Sequence, residues 1–127
     1  MNPDAPRNEL KRLAYATRNS LKGYRRVFRD EAAFRFQCLV LALAIVLAAL
    51  LARSWTEYAL LVGSWALAMA LELGNSAIEA VVDRSGREYH DLAAKAKDAG
   101  SAMVMTAMLV SAGLWLAALA DRCLSGV

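Results

Sequence analysis

Three apolar segments, each long enough to cross a lipid bilayer, constrain the fold of this chain more than any other feature. They cover residues 34–52, 58–82 and 99–120. A transmembrane helix needs about 17–25 predominantly apolar residues. Lipid offers no partners to backbone polar groups, so a spanning segment is a helix or part of a closed barrel, and these segments lack the alternation of barrel strands. We therefore predict an all-α membrane protein with three transmembrane helices.

The composition agrees with this fold. Hydrophobic residues make up 58% and charged residues 21% of the 127 residues, in apolar blocks separated by charged blocks. A chain of this length provides for one domain, and we assign residues 1–127 to it. A soluble protein can bury one helix of this kind, but three in this length leave no polar shell to cover them.

A fourth helix is predicted ahead of the spans, over residues 7–30. Its apolar face repeats at steps of three and four residues, through Leu10, Leu13, Ala14, Thr17, Leu21, Tyr24 and Phe28. Most of the Lys and Arg residues fall elsewhere, so the helix combines a basic and an apolar face, as interfacial membrane helices do. The alternative, a surface helix on a soluble core, is disfavoured by the three spans that follow.

The cations are unevenly distributed along the chain. Residues 1–35 contain nine Lys or Arg against four acids. Such a segment suits anionic lipid headgroups, and the spans make the membrane, rather than nucleic acid, the expected partner. The connection 83–98 holds four further cations, whereas residues 53–57 contain only Arg53 and the C-terminal tail only Arg122. The positive-inside rule then places the N-terminus and the 83–98 connection in the cytoplasm and the C-terminus outside.

The second span carries a polar stripe. At about 100° per residue, one side of the helix presents Glu72, Asn75, Ser76, Glu79 and Asp83. A charged residue such as Asp at the centre of a span costs about 2.5–3.5 kcal/mol on insertion scales, so this face is expected to meet a site, a cation or another helix. Hydrogen bonding between helices is the alternative, above all for Asn75 and Ser76.

This stripe has the residue types that phosphoryl transfer needs. A carboxylate partly withdrawn from water binds a proton more readily, which suits a general base. A second carboxylate nearer the surface suits Mg²⁺, which takes one or two carboxylates plus phosphate oxygens and water. Glu72 lies about 10 Å of helix rise deeper than Glu79, so a lipid hydroxyl and a phosphate can meet between them. Lys97, with Asp98 beside it, can neutralise phosphate charge.

Other polar residues are interpreted more modestly. Glu31 stands near Arg29 and Arg35, and the residues alone favour a surface salt bridge for it. His90 is the only histidine, and we expect it to be solvated. Neither a GxxxxGK nor a GxGxxG loop occurs, so an ATP site in this chain relies on side chains and helix ends.

The run ELGNSAIEAVVDRSGREYHDLAAKAKDAGSA, from Glu72 to Ala102, resembles the signature region of the prokaryotic diacylglycerol kinases. The stretch EAAFR at residues 31–35 and SLKG from Ser20 match as well, and the resemblance covers nearly the whole chain. It implies Mg²⁺- and ATP-dependent phosphorylation of 1,2-diacylglycerol to phosphatidic acid. It also implies a homotrimer with swapped helices in the bacterial inner membrane, with a periplasmic C-terminus.

The resemblance further implies roles for individual residues. Glu72 is the implied general base, and Asn75 acts beside it. Glu31 and Glu79 are the implied ligands of the Mg²⁺ that accompanies ATP, which replaces the salt-bridge interpretation of Glu31. The implied ATP-binding residues are Ser20, Glu31, Glu79, Glu88, Tyr89, His90, Lys97 and Asp98. The implied substrate-binding residues are Arg12, Arg35, Glu72 and Ser101.

Two alternatives to diacylglycerol kinase activity stay open at this point. Some relatives with the same catalytic residues phosphorylate undecaprenol, and the shared motif does not discriminate the two lipids. Asn19, Leu21 and Phe36 depart from the family pattern at the nucleotide rim and the lipid-facing edge. The second alternative is a non-enzymatic membrane scaffold or transporter subunit, because acids within spans are common in proton-coupled transport.

Overall fold

The computed structural model describes residues 8–84 and 90–125, and these residues form helices without a strand. The helices are α1 (Glu9–Asp30), α2 (Ala32–Leu51), α3 (Trp55–Arg84) and α4 (Asp91–Ser125). By length and composition, α2, α3 and α4 can each cross a membrane. The predicted all-α membrane fold, with one helix ahead of three spans, is therefore confirmed.

Two of the spanning helices extend beyond their apolar stretches. α3 begins before residue 58 and α4 begins before residue 99. At the start of α4, the Leu92 backbone N–H donates to His90 Nδ1 at 3.2 Å, and the His90 carbonyl accepts from the N–H groups of Ala93 and Ala94. Lys97 and Asp98, which we expected at the end of a loop, therefore lie on the first turns of α4.

α1 meets α2 at a sharp corner. Glu31 is the one residue between them, and its extended backbone (φ −118°, ψ 117°) ends α1 and precedes α2. The Arg35 guanidinium donates to the carbonyls of Phe28 and Arg29 at 3.1 and 3.0 Å, which satisfies acceptors left free at the end of α1. Hydrogen bonds thus fix the corner together with one apolar contact, in which the ring of the buried Phe34 on α2 packs against Tyr24 on α1, although α1 itself has no buried residue.

The spanning helices pack through small side chains. α3 packs mainly on α4, and α2 packs on α3. Among the buried residues are Ala44, Ala48, Ala68, Gly100, Ser111 and Ala118. Small residues let helix backbones approach closely, which is the main source of packing energy between helices in lipid.

Hydrogen bonds add to this packing. The hydroxyls of Ser64 and Ser111 lie 2.9 Å apart and link α3 to α4. The Trp65 indole donates to the Gln37 carbonyl at 3.0 Å, which links α3 to α2. At the end of the bundle remote from the α1–α2 corner, Arg53 forms an ion pair with Asp121. Together these bonds fix the positions of the three helices relative to one another along their axes.

Replacing Ala48 by Leu tests the packing. Ala48 has no exposed surface and lies against Leu61 and Ala118, so the larger side chain is expected to lower the free energy of unfolding by about 1–3 kcal/mol. Unfolding of the purified protein by SDS in mixed micelles measures this. Ala49→Leu is the matched control, because Ala49 is exposed. Equal stability of the two variants would contradict the packing described here.

Candidate active site

A hydrogen bond joins the α1–α2 corner to the polar stripe of α3. The Ser76 hydroxyl lies 2.8 Å from Glu31 Oε2 and 3.0 Å from the Glu72 carbonyl of its own helix. A hydroxyl has one proton, so it donates to one of these acceptors at a time. Glu31 and Ser76 are both half-buried. The contact holds the Glu31 carboxylate against the middle of the predicted site.

A second carboxylate is held by the neighbouring residue on α3. Asn75 Nδ2 donates to Glu79 Oε1 at 3.0 Å. The other end of the Asn75 amide, Oδ1, is buried and has no hydrogen-bond partner among the described residues. Asn75 therefore fixes the Glu79 carboxylate, and its neighbour Ser76 fixes the Glu31 carboxylate.

The donor set of these two carboxylates fits Mg²⁺. Within residues 8–84 and 90–125, no group of three or more His, Cys, Asp or Glu side chains gathers as a metal site would require. Mg²⁺ does not need such a group, because it binds through one or two carboxylates and takes its other ligands from phosphate and water. Glu31 and Glu79 are thus suited to hold a Mg²⁺ ion that a nucleotide also binds, but not a Mg²⁺ ion without the nucleotide.

A cleft of about 550 Å³ opens between α1 and α3, and Glu31 is part of its wall. Among the side chains that line it are those of Ser20, Arg26, Asp30, Glu31 and Ser76. Arg29 donates to the Asp30 carboxylate at 2.7 Å and holds the pKa of Asp30 below its ordinary value, so Asp30 is ionised at neutral pH. The cleft therefore presents hydroxyls, one guanidinium and two carboxylates, which is a lining that suits a phosphate group accompanied by a cation.

Lys97 lies on the α4 side of the stripe. Its ammonium group donates to Asp83 Oδ1 at 3.0 Å, which links the start of α4 to the end of α3. Lys97 pairs with Asp83 rather than with its neighbour Asp98, which is exposed. Asp83 lies one helical turn beyond Glu79, so the ammonium group stands at the same end of the bundle as the two carboxylates.

Glu72 differs from the other acids of the stripe. Its side chain is half-buried, and no hydrogen bond or ion pair from another described residue engages its carboxylate. It lies seven residues before Glu79 on α3, which is about 10 Å of helix rise toward the centre of the bundle. The Glu72 carboxylate is therefore not committed to a partner among the described residues.

Several predicted site residues are not brought to this cluster. Arg12 pairs with Glu9 at 2.8 Å on the exposed first turns of α1, about 27 Å of helix rise from Asp30. Arg35 caps the end of α1, and His90 accepts a hydrogen bond at the start of α4. Ser101 is exposed on α4. Glu88 and Tyr89 lie outside the described residues.

Ser76 and Asp83 are predicted only as members of the polar stripe, with hydrogen bonding between helices as the alternative for Ser76, and the structure connects both to predicted site residues. Ser76 binds Glu31, and Asp83 binds Lys97. Their position on the polar stripe was the available signal. The partners lie 45 and 14 residues away along the chain, so no spacing pattern revealed the pairs.

Comparison with known proteins gives a consistent set of relatives. A family model described as prokaryotic diacylglycerol kinase matches residues 18–119. A diacylglycerol kinase of Haemophilus influenzae is 42% identical over 106 residues, 84% of this chain and 90% of that protein. Those of Escherichia coli K12 and Pseudomonas aeruginosa are 45% and 46% identical, over 82% and 84% of this chain and 85% and 86% of their own lengths. The similarity thus spans most of each protein.

Ser76→Ala tests how the corner is held. Loss of the hydroxyl leaves the half-buried Glu31 carboxylate without this donor, and we expect the free energy of unfolding to fall by about 1–3 kcal/mol. Amide hydrogen exchange in the last turn of α1 is expected to become faster. Thr106→Ala is the control, because that hydroxyl bonds only to the Ala102 carbonyl of its own helix. Unchanged exchange in Ser76→Ala would show that the bond does not hold the corner.

Proposed function

This chain belongs to the prokaryotic diacylglycerol kinase family, and from that premise we propose that it transfers the γ-phosphoryl group of ATP to the free hydroxyl of 1,2-diacylglycerol, giving phosphatidic acid and ADP. The observation that carries this proposal is the arrangement of three acids. Glu31, on the wall of the cleft, and Glu79 are fixed by adjacent residues of α3, whereas Glu72 lies deeper and its carboxylate is unpaired among the described residues.

Glu72 acts as the general base. Its carboxylate takes the proton of the lipid hydroxyl while the hydroxyl oxygen bonds to the γ-phosphorus and the bond from that phosphorus to the bridging oxygen of ADP breaks. A base in this reaction must reach a hydroxyl that stays near the lipid. Glu72 meets that need because it lies further into the bundle than Glu79, and because its carboxylate is not committed to a described partner.

Glu31 and Glu79 hold the Mg²⁺ that accompanies ATP. The bound ion supplies charge neutralisation at the phosphate oxygens. Asn75 orients Glu79 and Ser76 orients Glu31, each through one hydrogen bond. Lys97 contacts the phosphates from α4, exchanging its bond to Asp83 for one to the nucleotide. Asp98, beside it on α4, contributes to the nucleotide site by orienting the Lys97 ammonium group or by helping to hold the ion, because a carboxylate does not donate to phosphate. Ser20, on the wall of the same cleft, donates to the nucleotide.

The membrane gives the two substrates separate routes to this site. The excess of Lys and Arg in residues 1–35 and 83–98 favours a cytoplasmic location for the N-terminus and the α3–α4 connection, with the C-terminus in the periplasm. In this orientation ATP reaches the cleft from the cytoplasm, and diacylglycerol reaches Glu72 from the plane of the inner membrane.

Glu72→Gln tests the assignment of the base. We expect kcat for phosphate transfer from labelled ATP to diacylglycerol in mixed micelles with Mg²⁺ to fall about 10²- to 10⁴-fold, because general-base catalysis is worth that much. Binding of ATP should be retained. Glu57→Gln is the matched control, since Glu57 is a half-buried acid at the opposite end of α3. Activity that survives in Glu72→Gln would leave the kinase proposal intact and would rule out Glu72 as the general base.

Undecaprenol is compared with diacylglycerol in the same assay. Preferred phosphorylation of undecaprenol would overturn the substrate assignment and keep the reaction. If neither lipid is phosphorylated by the native protein, the kinase proposal fails, and a scaffold or transporter subunit becomes the better interpretation.

The proposal includes a homotrimer with shared active sites and swapped helices. It is supported by the position of Arg12, which pairs with Glu9 on the exposed first turns of α1, about 27 Å of helix rise from Asp30, so that its substrate-binding role requires a site on another chain. We expect native mass spectrometry of the detergent-solubilised protein to give the mass of three chains. A strictly monomeric protein with full activity would rule out shared sites.

A further inference from the structure

α4 approaches α3 closely at Gly100, which is buried. A Cβ atom at this position would lie 2.2 Å from Asn75 Oδ1 and 3.3 Å from Asn75 Cγ. The nearest atom of Ile78, its Cδ1, would lie at 3.6 Å, which is ordinary van der Waals contact. Because Gly100 has no Cβ atom, there is room above its backbone for the amide group of Asn75.

That amide has two different ends. Nδ2 donates to Glu79 Oε1 at 3.0 Å, and Oδ1 is buried against Gly100 without a hydrogen-bond partner among the described residues. A buried acceptor without a donor is unfavourable, so hydrogen bonding does not hold Oδ1 in place. The amide group is planar, and a displacement of Oδ1 therefore moves Nδ2 as well.

We propose that Gly100 is a positioning residue for the phosphoryl-transfer site, acting through Asn75 on Glu79. The space above the Gly100 backbone admits Oδ1 and thereby directs Nδ2 at Glu79. That bond occupies Oε1 of Glu79 and leaves Oε2 for the Mg²⁺-nucleotide. The inference rests on the proposed function, because it takes Glu79 to face Mg²⁺ and ATP.

The other described glycines do not have this role. A Cβ added at Gly63 or Gly113 would meet nothing within 4 Å, and one at Gly74 would make ordinary contact with Met103 at 3.8 Å. Gly113 lies on the same helix as Gly100. It therefore provides a matched substitution that changes the backbone propensity of α4 equally without touching Asn75.

The first experiment measures binding rather than turnover. Gly100→Ala is expected to weaken the binding of a non-hydrolysable ATP analogue with Mg²⁺, measured by calorimetry in detergent micelles, by about 10- to 100-fold, as loss of an orienting partner of a metal ligand does. KM for Mg²⁺-ATP should rise in proportion. Gly113→Ala should bind the analogue as the native protein does. Native-like binding by Gly100→Ala would overturn the inference.

The second experiment separates positioning from packing. In an Asn75→Ala background the amide is absent, so adding Gly100→Ala should weaken analogue binding little further. A purely structural role for Gly100 predicts the same additional loss in both backgrounds, and that result would overturn the inference.

Thermal unfolding of the native protein, Gly100→Ala, Asn75→Ala and the double variant checks the steric argument independently of binding. Gly100→Ala should lower the midpoint temperature of unfolding when Asn75 is present. In the Asn75→Ala background it should leave that temperature unchanged. If Gly100→Ala alone does not fold, recovery of folding in the double variant supports the clash, and failure of both overturns it.

The outcomes also distinguish this inference from the proposed function. A native protein that binds the Mg²⁺-analogue but phosphorylates neither diacylglycerol nor undecaprenol refutes the kinase proposal, while the binding cycle still decides the role of Gly100. Conversely, a native protein that phosphorylates diacylglycerol, with unaltered analogue binding in Gly100→Ala, keeps the function and removes Gly100 from its machinery.

Discussion

The cost of placing polar groups in a membrane governs the arrangement of this site. Lipid has no hydrogen-bond partners to offer, so each polar side chain on a spanning helix must find one within the protein or remain available for a ligand. Ser76 meets this requirement by binding Glu31 and Lys97 by binding Asp83, whereas Asn75 meets it only through Nδ2, which binds Glu79. The hydrogen bonds that satisfy these polar side chains also orient the carboxylates.

The scaffold and the site therefore depend on different residue types. Small side chains bring α2, α3 and α4 together, with hydrogen bonds such as Ser64–Ser111 across the contacts. At the site end the same close approach serves chemistry, because Gly100 admits the Asn75 amide. α1 contributes differently, since it buries no residue and meets α3 beside the cleft.

The sequence predicted the helices well because the cost of exposing backbone groups to lipid leaves few other structures for apolar segments of this length. It also predicted the stripe on α3, since helical periodicity places Glu72, Asn75 and Glu79 on one side. It did not predict that Ser76 binds Glu31, because this contact depends on the angle at the α1–α2 corner. Nor did it predict the extension of α4 to Asp91, since the polar first turns of that helix carry no apolar signal.

Glu31 caps the end of one helix, caps the start of the next, and is also a member of the site. Most enzymes separate these tasks with a loop whose length can vary. Here an insertion or deletion of one residue in the last turn of α1 would turn the rest of that helix by about 100° relative to α2 and shift it by about 1.5 Å. This junction therefore tolerates changes of side chain better than changes of length, because a change of length would turn the basic face of α1 relative to the cleft that α1 shares with α3.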